Sequence, residues 1–444
     1  MLETIHAQLA EAKLRKFDEV ISSGAGLFEQ EFRGHPACPV CDRRPAAGEP
    51  EEPQPCEECE KDAALGRRLV DCGWLVLSEK PAGDAVAFFD GPMWYASVVK
   101  DVPKAAEPGI VFCYNLQDVR LIPGTPSGFA FYAGYVPTWQ AGEIESQEFA
   151  RYRKHLESGA DDDESGETAG VGDIKSFTAL AMASSGDDLL GVLRADVDHL
   201  GLVFSLGMRG RASLSRIATL STLLNVFFSS ELVGLIRQEF PQTYVAYSGG
   251  DDLLLIGPWD QTILLSKRIA EEFNRFAAGN PNLTLSAGVG TFRPRLPIAT
   301  TSVHTGEILE RSKSAGRNRL TLFGTTLTWD EFDGLRQWAE MLSESLRRKE
   351  GGISRAFLYR LFKYHQQATR YFETGDPHYL LYRPHLAYDI ARNYTGEDGS
   401  SKLADHRLHA ALLLLLESGP RAEKSWKLLR SAITWSSYAT RKEE

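Results

Sequence analysis

The sequence predicts an α+β protein organised around one ferredoxin-like domain, and three observations carry that reading. The first is the stretch Tyr244-Val245-Ala246-Tyr247-Ser248-Gly249-Gly250-Asp251-Asp252-Leu253-Leu254-Leu255-Ile256. It reads as a β-branched and aromatic strand, a tight turn of two glycines and two aspartates, and a second apolar strand. The second is a strand–helix alternation across residues 176–326, in the order β–α–β–β–α–β with extras. The third is the loss of strand alternation after Trp329, where amphipathic stripes run on toward the C-terminus.

Composition sets the outer bounds. A chain of 444 residues has room for roughly two to four domains with sizeable cores. Hydrophobic content of 43% and charged content of 25% are ordinary for a globular protein. A net charge of −11 argues against a protein that coats nucleic acid over its whole surface, though local basic strips remain open. No uninterrupted apolar run is long enough to span a bilayer, and the N-terminus lacks a basic region followed by an apolar one. Six cysteines in so long a chain do not suggest a disulfide scaffold, so a cytoplasmic protein is expected.

In chain order, residues 1–34 carry Leu9, Leu14, Phe17, Val20 and Ile21 at helical spacing. That apolar stripe needs a packing partner. Residues 35–72 hold Cys38-Pro39-Val40-Cys41 and Cys56-Glu57-Glu58-Cys59, a paired spacing that places four thiolates around one tetrahedral Zn²⁺. A closed four-thiolate set has no open position, so the zinc is structural. Cys72 and Cys113 read as core residues. Residues 73–140 form a β-rich region with strands near 74–77, 85–89, 93–99 and 109–114, and Asp90-Gly91 as a hairpin signal. Residues 141–175 read as an acidic linker, in which Asp161-Asp162-Asp163-Glu164 marks a solvated loop. Within 176–326 the spacing predicts strands at 188–195, 283–290 and 319–323, and helices at 212–240, 261–278 and 302–314. Residues 327–444 form an all-helical domain.

The chemistry gathers where strand ends meet turns. Two adjacent carboxylates, Asp251 and Asp252, suit Mg²⁺ or Mn²⁺, which takes a few carboxylates plus substrate phosphates. Ser248, Gly249 and Gly250 let a backbone approach a phosphate closely. The first strand runs into Asp196-Val197-Asp198-His199-Leu200-Gly201 and lies beside the central hairpin in this fold. Asp196 is therefore expected near Asp251 and Asp252, and Asp198 to Gly201 are expected to cradle phosphate at a helix start. His199 flanks that cradle without a catalytic role. Lys313 and Arg317, in Lys313-Ser314-Ala315-Gly316-Arg317-Asn318, offer a point charge and a fork to a triphosphate. A solvated helix end favoured by its dipole is the plain alternative. Ser286, on the fourth strand, is a base-contacting or close-approach position.

Together these pieces resemble the polymerase/cyclase palm shared by GGDEF-type cyclases and the large catalytic subunit of type III CRISPR complexes. The III-A form of that subunit is the better match. The resemblance rests on Gly249-Gly250-Asp251-Asp252, the segment from Asp196 to Gly201, the upstream four-cysteine element and the helical tail. That tail carries Tyr388-Asp389-Ile390-Ala391-Arg392-Asn393 and closes on Trp435-Ser436-Ser437-Tyr438-Ala439-Thr440-Arg441.

The resemblance implies a nucleotidyltransferase that joins ATP through 3′–5′ bonds into cyclic oligoadenylates when target RNA pairs with guide RNA. By that likeness Asp196, Asp251 and Asp252 hold the divalent ions, and Lys313 and Arg317 contact phosphates. It also implies partners: other subunits of a type III complex, guide and target RNA, and no membrane. Two departures are expected to matter. No His-Asp dipeptide occurs in the chain, and residues 1–34 look like the last helix of the family's first palm. A partner chain, or sequence beyond this one, is then expected to carry the first palm and the HD nuclease. Two rivals remain. A diguanylate cyclase is disfavoured because Phe204 stands where that group carries a guanine-reading Asn. A non-catalytic nucleotide-binding scaffold of the same complex is the other.

Overall fold

Two β-sheets divide the work of the chain. The computed structural model describes residues 35–70, 72–80, 86–88, 94–103, 109–158, 169–207 and 213–441, with Gln8, Glu11 and Arg15. The helix expected over 1–34, the Asp90-Gly91 turn and the acidic run from Asp161 therefore fall outside the described residues, three isolated positions apart.

After the first cysteine pair comes α1 (Glu57–Val70), whose acidic first turn and basic last turn complement its dipole. Strands β1 (Trp74–Ser78), β2 (Val86–Phe88), β3 (Trp94–Val99), β4 (Ile110–Asn115) and β5 (Ser127–Phe129) make the first sheet, in the order β2-β3-β1-β4-β5. The three-residue β5, parallel to β4, is too short to show periodicity in sequence.

The region expected to be a linker is partly a folded helix. Ser146 caps α2 (Gln147–Glu157) by accepting the Phe149 N–H. Phe149 and Tyr152 then pack on Trp139, with ring centroids 4.8 and 5.5 Å away. Charged residues on the outer face of α2 lower its average hydropathy, which is why composition hides it. Lys175 anchors the same segment to the rest of the protein. It is buried, 2.6 Å from a Glu143 carboxylate oxygen and 2.9 Å from the Gln242 side-chain oxygen.

The second sheet contains β6 (Leu190–Val197), β7 (Tyr244–Gly249), β8 (Asp252–Pro258), β9 (Leu285–Phe292), β10 (Arg319–Leu322) and β11 (Thr325–Thr328). Its order is β11-β10-β9-β6-β8-β7, and the four strands β9-β6-β8-β7 have the ferredoxin-like arrangement that the sequence predicts. Helices α3 (Phe177–Met182), α4 (Leu214–Glu239), α5 (Trp259–Phe276) and α6 (Ile298–Ser314) cover it. Alternation along β6 sorts the faces. Leu193, Ala195 and Val197 join Phe227, Phe228, Ile263 and Phe273 of α4 and α5, while Leu190 and Val192 pack with Leu180 of α3. On β9, a Cβ added to Gly288 would lie 2.5 Å from the Leu309 backbone nitrogen, so α6 is pressed directly onto the sheet.

Among the described residues, α4 alone is long and apolar enough to cross a membrane by length and composition. Serines and threonines interrupt its apolar residues, so no continuous run shows in the sequence. Its second half is a core helix, with Leu224, Phe227, Phe228, Leu232, Val233 and Ile236 buried. A π-helical turn at Phe227–Glu231 marks the change between halves.

The C-terminal helices are α7 (Phe332–Arg347), α8 (Arg355–Thr374), α9 (Tyr382–Tyr394), α10 (His406–Leu414) and α11 (Pro420–Ala439). They share one core with the second sheet. Trp259 of α5 meets Trp435 and Tyr438 of α11 edge to face, at 6.2 and 5.7 Å between centroids.

Candidate active site

Antiparallel pairing of β6 with β8 sets Asp196 directly opposite Asp252, with Ser286 of β9 on its other side. In the β7–β8 hairpin Gly249 pairs with Asp252, leaving Gly250 and Asp251 at the tip. Gly250 has φ 69°, a left-handed conformation that favours glycine. The Val197 N–H donates to the Asp251 carbonyl oxygen at 2.9 Å, tying that tip to the end of β6. Strand register thus brings Asp196, Asp251 and Asp252 to one end of the sheet. The space above is open: a Cβ at Gly249 or Gly250 would meet nothing within 4 Å.

Lys313 comes to the same place from the last turn of α6. Its Nζ stands 3.0 Å from Asp196 Oδ1 and 3.6 Å from Glu310 Oε1. The neighbouring Ser312 hydroxyl donates to the Ala287 carbonyl oxygen of β9 at 2.7 Å, which holds that turn on the sheet. Burial pushes the Asp196 carboxyl above its usual range; Lys313 opposes this, and Asp251 and Asp252 push it up again. A cluster of this kind takes up positive charge.

Several residues expected to bind nucleotide have other work. Asp198 is 2% exposed, and its carboxylate accepts from Thr284 Oγ1 at 2.7 Å, Ser286 Oγ at 2.6 Å and the Asn318 N–H at 2.9 Å. Asp198 and Ser286 therefore pin β6, β9 and the α6–β10 turn together, and neither offers a free polar atom to a ligand. Ser248 is likewise buried, donating to the Phe228 carbonyl oxygen at 2.7 Å. Gly288, two residues beyond Ser286, is the close-approach position of that strand.

His199, exposed and at φ 55°, starts the short helical turn Leu200–Leu202, and its carbonyl oxygen accepts the N–H groups of Leu202 and Val203. Leu200 leans on the core, while a Cβ at Gly201 would meet nothing within 4 Å. Arg317, at φ 60°, lines a cavity of about 580 Å³ with Lys267, Asn274, Thr284 and Trp329, and none of the three aspartates is in its walls. Lys313 and Arg317 thus face different spaces. Sequence spacing gave no sign of Lys267 or Asn274, because only the packing of α5 under the α6–β10 turn brings them to Arg317.

The four cysteines converge as expected. Their sulfurs all lie within 4.8 Å of one another, with Cys38–Cys59 and Cys41–Cys56 both at 3.9 Å. A tetrahedron of thiolates at the usual Zn–S length of ~2.3 Å has S–S edges of about 3.8 Å, so the set fits zinc.

A ferredoxin-like sheet with three carboxylates at a strand-and-hairpin end defines a palm of the nucleotidyltransferase type. Residues 189–321 match the family model described as Cas10/Cmr2, second palm domain. The chain is 29% identical over 348 residues to the CRISPR system single-strand-specific deoxyribonuclease Cas10/Csm1 (subtype III-A) of Thermococcus onnurineus, covering 73% of this chain and 39% of that protein. It is 36% identical over 179 residues to the Cas10/Csm1 of Enterococcus italicus, covering 39% of this chain and 23% of that protein. The chain thus spans well under half the length of these relatives. In structure it is similar to a Csm1–Csm4 subcomplex of a type III-A CRISPR-Csm interference complex, with TM-score 0.56 and 22% identity over 85% of this chain and 50% of that one. A Csm1–Csm4 cassette in complex with cA4 superposes with TM-score 0.52, at 22% identity over 82% of this chain and 48% of that one. At that identity the superpositions speak to the fold.

Proposed function

We propose that this chain is part of the large subunit of a type III-A CRISPR effector complex in the cytoplasm, and that its palm joins ATP into 3′–5′ cyclic oligoadenylates. The observation that carries the reading is the register of Asp196 against Asp252, with Asp251 at the adjoining tip. Cas10/Csm1 relatives and the cA4-bound cassette supply the substrate class by likeness.

In the reaction a 3′-hydroxyl oxygen bonds to the α-phosphorus of ATP. The bond from that phosphorus to the β-phosphate oxygen breaks, and pyrophosphate and a proton leave. Divalent ions held by Asp196, Asp251 and Asp252 would activate the hydroxyl and stabilise the leaving oxygen. The open face over Gly249 and Gly250 admits a triphosphate, and Lys313 adds a fixed positive charge beside it. Arg317, in its own cavity, is proposed to meet the nucleotide from the α5 side.

The site is proposed to be one half of a composite, completed by the first palm. Leu202, Leu206, Leu214 and Leu223, between the end of β6 and the first half of α4, and Tyr247 of β7 are exposed, apolar side chains of the kind that partners cover. Target and guide RNA and the remaining subunits complete the proposed assembly.

The test is conversion of labelled ATP by the assembled, target-bound complex with Mg²⁺ or Mn²⁺. Cyclic adenylates that disappear, by at least about 10³-fold, when Asp251 and Asp252 both become Ala are the expected outcome. A wild-type complex that binds ATP and yields no adenylate product would leave the scaffold reading.

A further inference from the structure

At the opposite end of the same sheet, an open groove of about 1030 Å³ collects Arg151 and Lys154 from α2, Arg293 and Arg295 from the loop after β9, and Arg441 after α11. These five cations come from three separate parts of a chain whose net charge is −11. Two carboxylates share the groove: Asp188 pairs with Arg151, and Asp187 with Arg441 at 2.8 Å. Among the described residues that line the groove, the balance is five positive groups against two negative. Leu190 of β6 pairs with Phe292 of β9 at this end, and Asp196 lies six residues further along β6. At about 3.3 Å per residue the groove is therefore roughly 20 Å from the carboxylates, too far to serve the same phosphates.

We infer that this groove is a binding site for the sugar–phosphate backbone of single-stranded nucleic acid. Guanidinium forks bind phosphate oxygens two at a time, and four of the five cations are arginines. An open channel with interspersed arginines suits the regularly spaced phosphates of an extended strand. The ion pairs to Asp187 and Asp188 hold Arg151 and Arg441 in place and are exchanged for phosphate when the strand arrives. The inference rests on the proposed RNA-guided role, since that role requires RNA along the subunit.

The experiment titrates a short fluorescein-labelled oligouridylate into the full chain at several salt concentrations, without ATP. Binding should weaken with a log–log salt slope near −2, as about three phosphate contacts at about −0.7 each require. Replacing Lys154 and Arg293 together by Glu should weaken binding by about tenfold or more at low salt and flatten the slope by at least about one. Crosslinking of wild-type chain to a 4-thiouridine-bearing strand, which needs no variant, should label the segments around Arg151, Arg293 or Tyr438. Unchanged affinity in the double variant, crosslinks confined elsewhere, or displacement of the strand by polyglutamate at equal charge would overturn the inference. Asp251→Ala with Asp252→Ala should bind the strand like wild type, so failure of the groove and failure of the catalytic reading are told apart.

Discussion

The chain carries a set of four cysteines and a group of three aspartates, and they are built on opposite plans. Cys38, Cys41, Cys56 and Cys59 come from one short stretch, are mostly buried, and form a complete tetrahedral set. Asp196 stands more than fifty residues before the adjacent Asp251 and Asp252, meets them through strand register, and the three open onto unfilled space. A ligand set that is locally encoded and closed can only hold structure together. One that is assembled by the whole sheet and left open has positions to spare for a substrate. The difference separates a rivet from a site.

The largest expected effect tests the closed cluster. Cys38→Ser, or a strong chelator, should remove about one zinc per chain and unfold residues 35–70, because a structural zinc is worth ~10 kcal/mol or more to a small element. The palm should keep its melting transition, since the cysteine cluster shares no core with it. Zinc analysis and hydrogen exchange read the two outcomes. Retention of full zinc by Cys38→Ser, or collapse of the palm alongside, would break the contrast.

A smaller effect tests the open cluster's support. Lys313→Ala removes the cation 3.0 Å from Asp196 and should lower the catalytic rate of the complex by about 10²-fold while the fold survives. A rate within about threefold of wild type would mean that Lys313 only caps its helix.

The smallest effect concerns stability and pH. The Asp196 carboxyl is held above its ordinary value, chiefly by burial, so the folded protein grips that proton more tightly than the unfolded chain does. The ionised form then costs stability; the cost appears as pH rises through the ordinary aspartate range toward the raised value and is complete above it. Asp196→Asn should therefore raise the melting temperature at neutral pH by roughly a few degrees, with the gain fading below about pH 4. Activity should meanwhile be lost, and wild-type affinity for the divalent ion should fall off at a higher pH than an ordinary aspartate would give. A neutral-pH loss of stability in Asp196→Asn would show that the lysine pair outweighs the burial cost.

Much of this is legible in the sequence. The glycine–aspartate hairpin, the zinc pair and the strand–helix order follow from local chemistry, and Asp196 followed from the fold's strand order. The inward bonds of Ser248, Asp198 and Ser286 are not legible in sequence, because a polar residue in a suggestive motif looks the same whether it faces a ligand or a buried neighbour. Only the bonds to Phe228, Thr284 and Asn318 decide that. Helix α2 was hidden by its charged outer face, and β5 and β11 by their shortness. Arg317 stood in the same short motif as Lys313, yet the left-handed turn between them turns it toward α5.

The bare backbone at Gly288 has a mechanical consequence. Because α6 rests on that residue with no side chain between, the height of the helix above the strands is fixed to within the thickness of one methyl group. Alanine there would act as a shim, lifting α6 and carrying the lysine at its far end away from its carboxylate. The reach of a charge at one end of the helix is thus set by a hydrogen atom near its middle.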